Sequence, residues 1–133
     1  DYLYKFGIML GLAFQLQDDY LDVYGDTKVF GKAIGGDIIS NKKTYMLINA
    51  YHLASEEQRK ELDYWTQQEN FDKQEKIKAV TSLYNYIGID KMALDKISWY
   101  FNESKQYLDC LHVENEKKNE LVAFVLRMMK RQQ

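Results

Sequence analysis

Three carboxylates crowd together in Asp18-Asp19-x-x-Asp22, at the end of the run Gly11-Leu-Ala-Phe-Gln-Leu-Gln-Asp-Asp-Tyr-Leu-Asp22. On a helix, Gly11, Gln15, Asp18 and Asp22 step by four, three and four and form one stripe, with Asp19 just beside it. Like charges at this spacing repel and weaken the helix that carries them, so the arrangement calls for a compensating cation. Carboxylate oxygens suit hard divalent ions. Mg²⁺ fits best, because it binds through one or two carboxylates and completes its shell with water and phosphate oxygen. The plain alternative is an acidic, solvated helix turn.

The stretch that follows supplies complementary groups. Gly25, Gly31, Gly35 and Gly36 break the helix and let backbone run close to a ligand. Lys28, Lys32, Lys42 and Lys43 bring ammonium groups into the same region. Carboxylates and lysines separated by a glycine-rich turn suit a polyanion bound through metal, and a diphosphate is the natural candidate. Gly31-Lys32 lacks the rest of a phosphate-binding loop or a dinucleotide fingerprint.

The elements that must position these groups read as helices throughout. Tyr2 to Leu16 is almost entirely apolar, has no proline and is rich in helix-forming Leu, Met, Gln and Ala, so a helix is predicted over about Tyr2 to Tyr24, stopped by Gly25. A second helix is predicted from Asp37, with Asp37 as its cap, through Tyr51. Ser55-Glu-Glu-Gln58 reads as a capping box for a helix to about Gln67. Asp72 opens another that Gly88 stops, and Asp90 caps the next, which carries Ile97, Phe101 and Leu108. A break near His112 to Asn115 precedes a last helix with Leu121, Phe124 and Val125. No window alternates at period two for long enough to argue a sheet.

Composition narrows the function class. A chain of 133 residues at 46% hydrophobic content is the size of one domain and is not disordered. A net charge of −2 gives no general attraction to nucleic acid or to anionic membrane. No apolar run is long enough to span a bilayer. The single cysteine, Cys110, has no partner for an internal disulfide, which fits a reducing cytoplasm, and is read as a packing residue. His52 and His112 lack partners at metal spacing and are read as surface or interhelix residues. Trp65, Trp99 and the many tyrosines are read as core or interface.

The ordered set Phe14-Gln15-Leu16-Gln17-Asp18-Asp19-Tyr20-Leu21-Asp22, Gly25-Asp26, Gly31-Lys32, Gly36-Asp37-Ile38 and Asn41-Lys42 resembles the second aspartate-rich region of the trans-isoprenyl diphosphate synthases, the polyprenyl synthetase family, and above all its farnesyl diphosphate synthases. The resemblance is clear from about Phe6 to Thr44 and looser beyond. It implies an all-α fold, part of an orthogonal helical bundle. It further implies prenyl transfer from an allylic diphosphate to isopentenyl diphosphate, and Mg²⁺ held by Asp18, Asp19 and Asp22. Lys32 and Gln15 would then serve catalysis, with Phe14, Gln15, Lys32 and Lys42 on the substrate. Thr44 would be a polar support, and Arg127, Lys130 and Arg131 resemble a basic tail that closes over the second substrate.

The family carries two aspartate-rich motifs on facing helices, and this chain has one, near its amino end. The chain therefore reads as the carboxy-terminal portion of one synthase domain, residues 1–133, inactive alone, with Ile8, Leu12 and Leu16 left exposed and inclined to homodimerise or self-associate. Two readings of another class stay open: a non-catalytic prenyl-synthase-like subunit, and a helical interaction module. Terpene cyclisation is a closer, enzymatic rival, but the second metal motif of those enzymes mixes Asn, Ser or Thr with Glu, and this one does not.

Overall fold

A computed structural model describes residues 1–26, 34–111 and 115–130. Those residues form helices α1 (Tyr2–Tyr24), α2 (Gly36–Ile39), α3 (Tyr45–Leu53), α4 (Glu56–Gln67), α5 (Lys73–Ile87), α6 (Ile89–Asp109) and α7 (Asn115–Met129), with no strand among them. The all-α expectation holds. So do the first helix and its end before Gly25.

The caps written into the sequence form as expected where they are local. The Ser55 hydroxyl accepts from the Gln58 N–H at 3.2 Å while the Gln58 side chain accepts from the Ser55 N–H at 2.8 Å, a complete capping box at the start of α4. The Asp72 carboxylate accepts from the Glu75 N–H at 2.9 Å and opens α5. Gly88 ends α5 at φ 91, a left-handed conformation that costs glycine nothing. Asp90 does not cap α6; the helix already starts at Ile89, and Asp90 lies in its first turn.

The single helix predicted from Asp37 to Tyr51 is instead two. Asp37 sits inside the first turn of the four-residue α2, preceded by Gly35 at φ 93. The chain then breaks, because Asn41 adopts a left-handed φ of 57 and the Lys42 N–H turns back to the Asp37 carbonyl at 3.0 Å. Thr44 restarts the helix, its hydroxyl accepting from the Leu47 N–H at 3.2 Å.

The described chain divides into two compact units, Asp1–Asp18 with Leu94–Gln133, and Asp19–Ala93. In the second, α5 packs against α2, α3 and α4. Its core gathers Val23, Ile38, Met46, Leu62, Val80, Leu83, Tyr84 and Ile89, with Met46, Leu62 and Ile89 fully buried. Burial of this kind contributes about 1.5–3 kcal/mol per large side chain.

In the first unit, Phe14 meets the rings of Phe101 and Phe124 edge-on, with centroids 5.8 and 6.3 Å apart, and Ile97, Phe101, Leu108 and Val125 are fully buried. Ile8 and Leu12 are exposed as expected, together with Tyr2, Leu3 and Tyr4. Leu16 is not; it is 5% exposed and belongs to the core. Cys110, read as a packing residue, is exposed. No helix among the described residues is long and apolar enough to cross a membrane.

Candidate functional site

The last turn of α1 presents the carboxylates in graded exposure. Asp18 is exposed, whereas Asp19 and Asp22 are half-buried. The turn after Gly35 folds back onto Asp22. The Gly35 N–H donates to the Asp22 backbone carbonyl at 2.6 Å, and the Asp37 N–H donates to Asp22 Oδ2 at 2.9 Å. The Asp22 carboxylate thus meets one of the unpaired N–H groups that open α2, where a negative charge is favoured.

Gly35 makes this return possible. Its φ of 93 suits glycine, and a Cβ there would stand 2.5 Å from Ile77 Cδ1 on α5.

Lys42 completes the cluster. Its ammonium lies 3.3 Å from Asp19 Oδ1, with the lysine side chain 56% exposed and the aspartate 13%. The hydrogen bond to Asp19 holds the Lys42 pKa above the ordinary lysine value, helped by the charges of Asp19, Asp37 and Asp22 and opposed by slight desolvation. Lys42 therefore stays charged at any physiological pH. Asp37, read from the sequence as a cap, adds its charge to this site and its N–H to Asp22.

Oxygen donors of this kind fit a Mg²⁺ ion that takes one or two carboxylates and fills its remaining positions with water and phosphate oxygen. They do not make a self-sufficient cage: among the described residues, no three Asp, Glu, His or Cys side chains converge to hold a metal by themselves. Among the described residues, the cluster joins Asp19 and Asp22 to one lysine, Lys42.

The other sequence-selected residues fall as follows. Lys32, with Lys28 and Gly31, lies outside the described residues. Gln15 is exposed; the buried glutamine is Gln17, whose Nε2 donates to the Met128 carbonyl at 2.8 Å. Two residues apart on a helix means opposite sides, and Gln17 shares its side with Ala13 and Leu16. Phe14 belongs to the aromatic cluster described above. Thr44 is committed to its helix cap and is 5% exposed. Arg127 and Lys130 are exposed, and Arg131 lies outside the described residues.

Sequence reasoning passed over Lys76. It is fully buried, and its ammonium donates to the Asn41 side-chain oxygen at 2.6 Å and to the Ile39 carbonyl at 3.3 Å. The signal was present: Lys76 steps by four to the buried Val80 and Tyr84, so it stands on the apolar stripe of α5.

Comparison with known proteins follows the same lines. The polyprenyl synthetase family profile matches residues 1–84. Farnesyl pyrophosphate synthase 1 of Cannabis sativa is 37% identical over 102 residues, 75% of this chain and 26% of that protein. A crystal structure of geranylgeranyl pyrophosphate synthase superimposes with a TM-score of 0.88 at 38% identity, over 98% of this chain and 41% of that one. The geranylgeranyl pyrophosphate synthase of Corynebacterium glutamicum, solved in complex with isoprenyl diphosphate and magnesium, gives a TM-score of 0.85 at 28% identity, over 98% of this chain and 37% of that one. The chain spans 18% to 26% of the length of the first curated relatives it matches.

Proposed function

This chain belongs to the polyprenyl synthetase family, and we propose on that premise that it supplies the second carboxylate cluster of a trans-isoprenyl diphosphate synthase, as the carboxy-terminal part of one synthase domain. The reaction is condensation of an allylic diphosphate with isopentenyl diphosphate: the allylic partner loses its diphosphate, the new C–C bond forms, and the isopentenyl carbon skeleton loses a proton to restore a double bond. The observation that carries the reading is the Lys42–Asp19 pair, set beside an Asp22 carboxylate that the turn at Gly35–Asp37 holds in place.

Asp18, Asp19 and Asp22 would hold Mg²⁺. The bound ion supplies Lewis-acid neutralisation of the departing diphosphate. Lys42 exchanges its aspartate partner for a diphosphate oxygen, acting as a point charge. The family resemblance gives Lys32 a contact to the allylic diphosphate as well. The Asp37 N–H keeps one oxygen of Asp22 engaged, so the carboxylate presents a fixed orientation to its ligand. On the family resemblance, Gln15 and Phe14 would also serve substrate binding.

A half-site cannot clamp a diphosphate from two directions, nor hold two substrates in attack geometry. The 133 residues alone are therefore inactive. The exposed Tyr2, Leu3, Tyr4, Ile8 and Leu12 support burial of α1 by further protein, including a homodimer partner. A lone, exposed cysteine fits a cytoplasmic protein.

The test uses the protein expressed from its full coding sequence. Asp18→Ala and Asp22→Asn should each lower turnover of geranyl and isopentenyl diphosphate by about 100-fold or more, the scale of removing one preorganised charge-stabilising group. Asp22→Asn retains an acceptor for the Asp37 N–H, so thermal unfolding should move little. Unchanged turnover in both variants would remove the metal reading.

A further inference from the structure

Lys76 is a lysine in a place where leucine would pack. An ammonium taken out of water must be met by acceptors, or burial costs more than packing returns. Here the acceptors come from one short segment, the end of α2 and the turn that follows it: the Ile39 carbonyl at 3.3 Å and Asn41 Oδ1 at 2.6 Å. The face of Phe71 lies 4.3 Å from the same ammonium. The buried donor thus bridges the end of α2 and the turn residue Asn41.

Asn41 is the centre of that turn. It is the non-glycine residue with positive φ among the described residues, at 57, a conformation asparagine tolerates better than most. Both ends of its amide are used. The oxygen accepts from Lys76, and Nδ2 donates to the Thr66 carbonyl at 2.9 Å. Only the oxygen can accept from an ammonium, so this pairing also fixes which way the amide faces.

The next residue is Lys42. Its backbone N–H returns to the Asp37 carbonyl at 3.0 Å, its carbonyl accepts from the Thr44 N–H at 2.9 Å, and its side chain reaches Asp19. Asp37 in turn donates to Asp22. The backbone that sets the position of Lys42 against Asp19 and Asp22 is thus pinned from beneath through Asn41.

We infer that Lys76 is a positioning residue for the diphosphate-contacting lysine: through Asn41 it locks the turn that holds Lys42 opposite Asp19 and Asp22. The inference rests on the proposed role of Lys42. It adds a residue on α5, 34 positions further along the chain than Lys42, that acts through Asn41.

Two substitutions at Asn41 isolate the lock. Asn41→Gly and Asn41→Asp both lose the bond to Thr66, and both tolerate the left-handed conformation, but only Asp keeps an acceptor for Lys76. In the protein expressed from its full coding sequence, amide hydrogen exchange at Lys42 and Asp37 should quicken about tenfold or more in Asn41→Gly and in Lys76→Met, the scale of losing a hydrogen bond to a charged donor. Amides in α4 and α5 should keep their rates, and Asn41→Asp should stay near wild type. KM for the allylic diphosphate should rise by about the same factor in Asn41→Gly, with kcat changing less.

Equal exchange in the Gly and Asp variants would overturn the inference, and so would quickening spread evenly over residues 19–93. If Lys76→Met does not fold, the Asn41 pair still decides. A wild-type protein without prenyl transfer would refute the proposed function while leaving the exchange result to judge the lock. An active wild type with unaltered exchange in Asn41→Gly would refute the lock alone.

Discussion

The Lys42–Asp19 pair should matter far more to turnover than to stability. At 3.3 Å, two unit charges attract by about 1.3 kcal/mol in bulk water and by about 5 kcal/mol at an effective dielectric of 20. The Lys42 side chain is 56% exposed, so water screens the pair, and holding a long lysine in one geometry costs rotamer entropy. The expected coupling falls to the range of exposed ion pairs, about 0.2–1 kcal/mol. A double-mutant cycle of Lys42→Met and Asp19→Asn, read by urea unfolding, measures it directly. The coupling should shrink further as salt is raised from about 0.1 to 1 M, where the screening length drops from about 10 to 3 Å. The same Lys42→Met change should lower kcat/KM for the allylic diphosphate by about 100-fold, the scale of one lost charge contact at a reacting phosphate. A coupling above about 2 kcal/mol together with near-normal turnover would refute this reasoning and make Lys42 a tether of the turn.

Two further outcomes follow from the second unit. Burial, with the charges of Asp37 and Tyr51, raises the Tyr84 pKa above its ordinary value of 10.0, so the folded state keeps a proton that the unfolded chain releases; that stability is present below about pH 10 and is lost as pH climbs beyond it. Burial lowers the Lys76 pKa and acts with the opposite sign, its cost fading as pH rises toward 10.5, so the measurement is the difference between wild type and Tyr84→Phe. That difference should shift in favour of Tyr84→Phe between about pH 9.5 and 11, and a flat difference would be the contrary result. Gly35→Ala should destabilise by about 1–3 kcal/mol through its left-handed backbone, with an added clash against Ile77 Cδ1 at 2.5 Å. Adding Ile77→Ala should relieve the clash and leave the backbone cost, and no loss in Gly35→Ala would contradict the φ of 93.

What could be read in the sequence was local or strongly patterned. The end of α1 at Gly25, the Ser55–Gln58 box and the Asp72 and Gly88 caps each depend on residues within four positions of one another. The carboxylates and Lys42 were legible as an ordered motif, although their contact distance was not. The break after α2 escaped because Asn41 is left-handed by virtue of its partners Thr66 and Lys76, which are distant in sequence. Lys76 escaped for a related reason: a lysine is ordinarily read as solvated, and only its place on the stripe with Val80 and Tyr84 argues otherwise. Gln15 stands out in the sequence because it shares a stripe with the aspartates, and it is exposed. Gln17, two residues on, is buried and bonded to the distant Met128 carbonyl, a partner no local pattern encodes. Leu16 was expected at an open face, but a chain that forms two compact units covers it.

The central claim is that this chain contributes one half of a metal-assisted prenyl-transfer site. It is tested most directly by assaying two proteins side by side: the 133-residue chain, and the product of its full coding sequence. Each is incubated with Mg²⁺, geranyl diphosphate and isopentenyl diphosphate, and elongated prenyl diphosphate is measured over many turnovers. The account predicts Mg²⁺-dependent product from the full-length protein and none from the 133 residues alone. Multiple-turnover product from the short chain, free of host synthase, or a full-length protein inert with every allylic diphosphate, would contradict it.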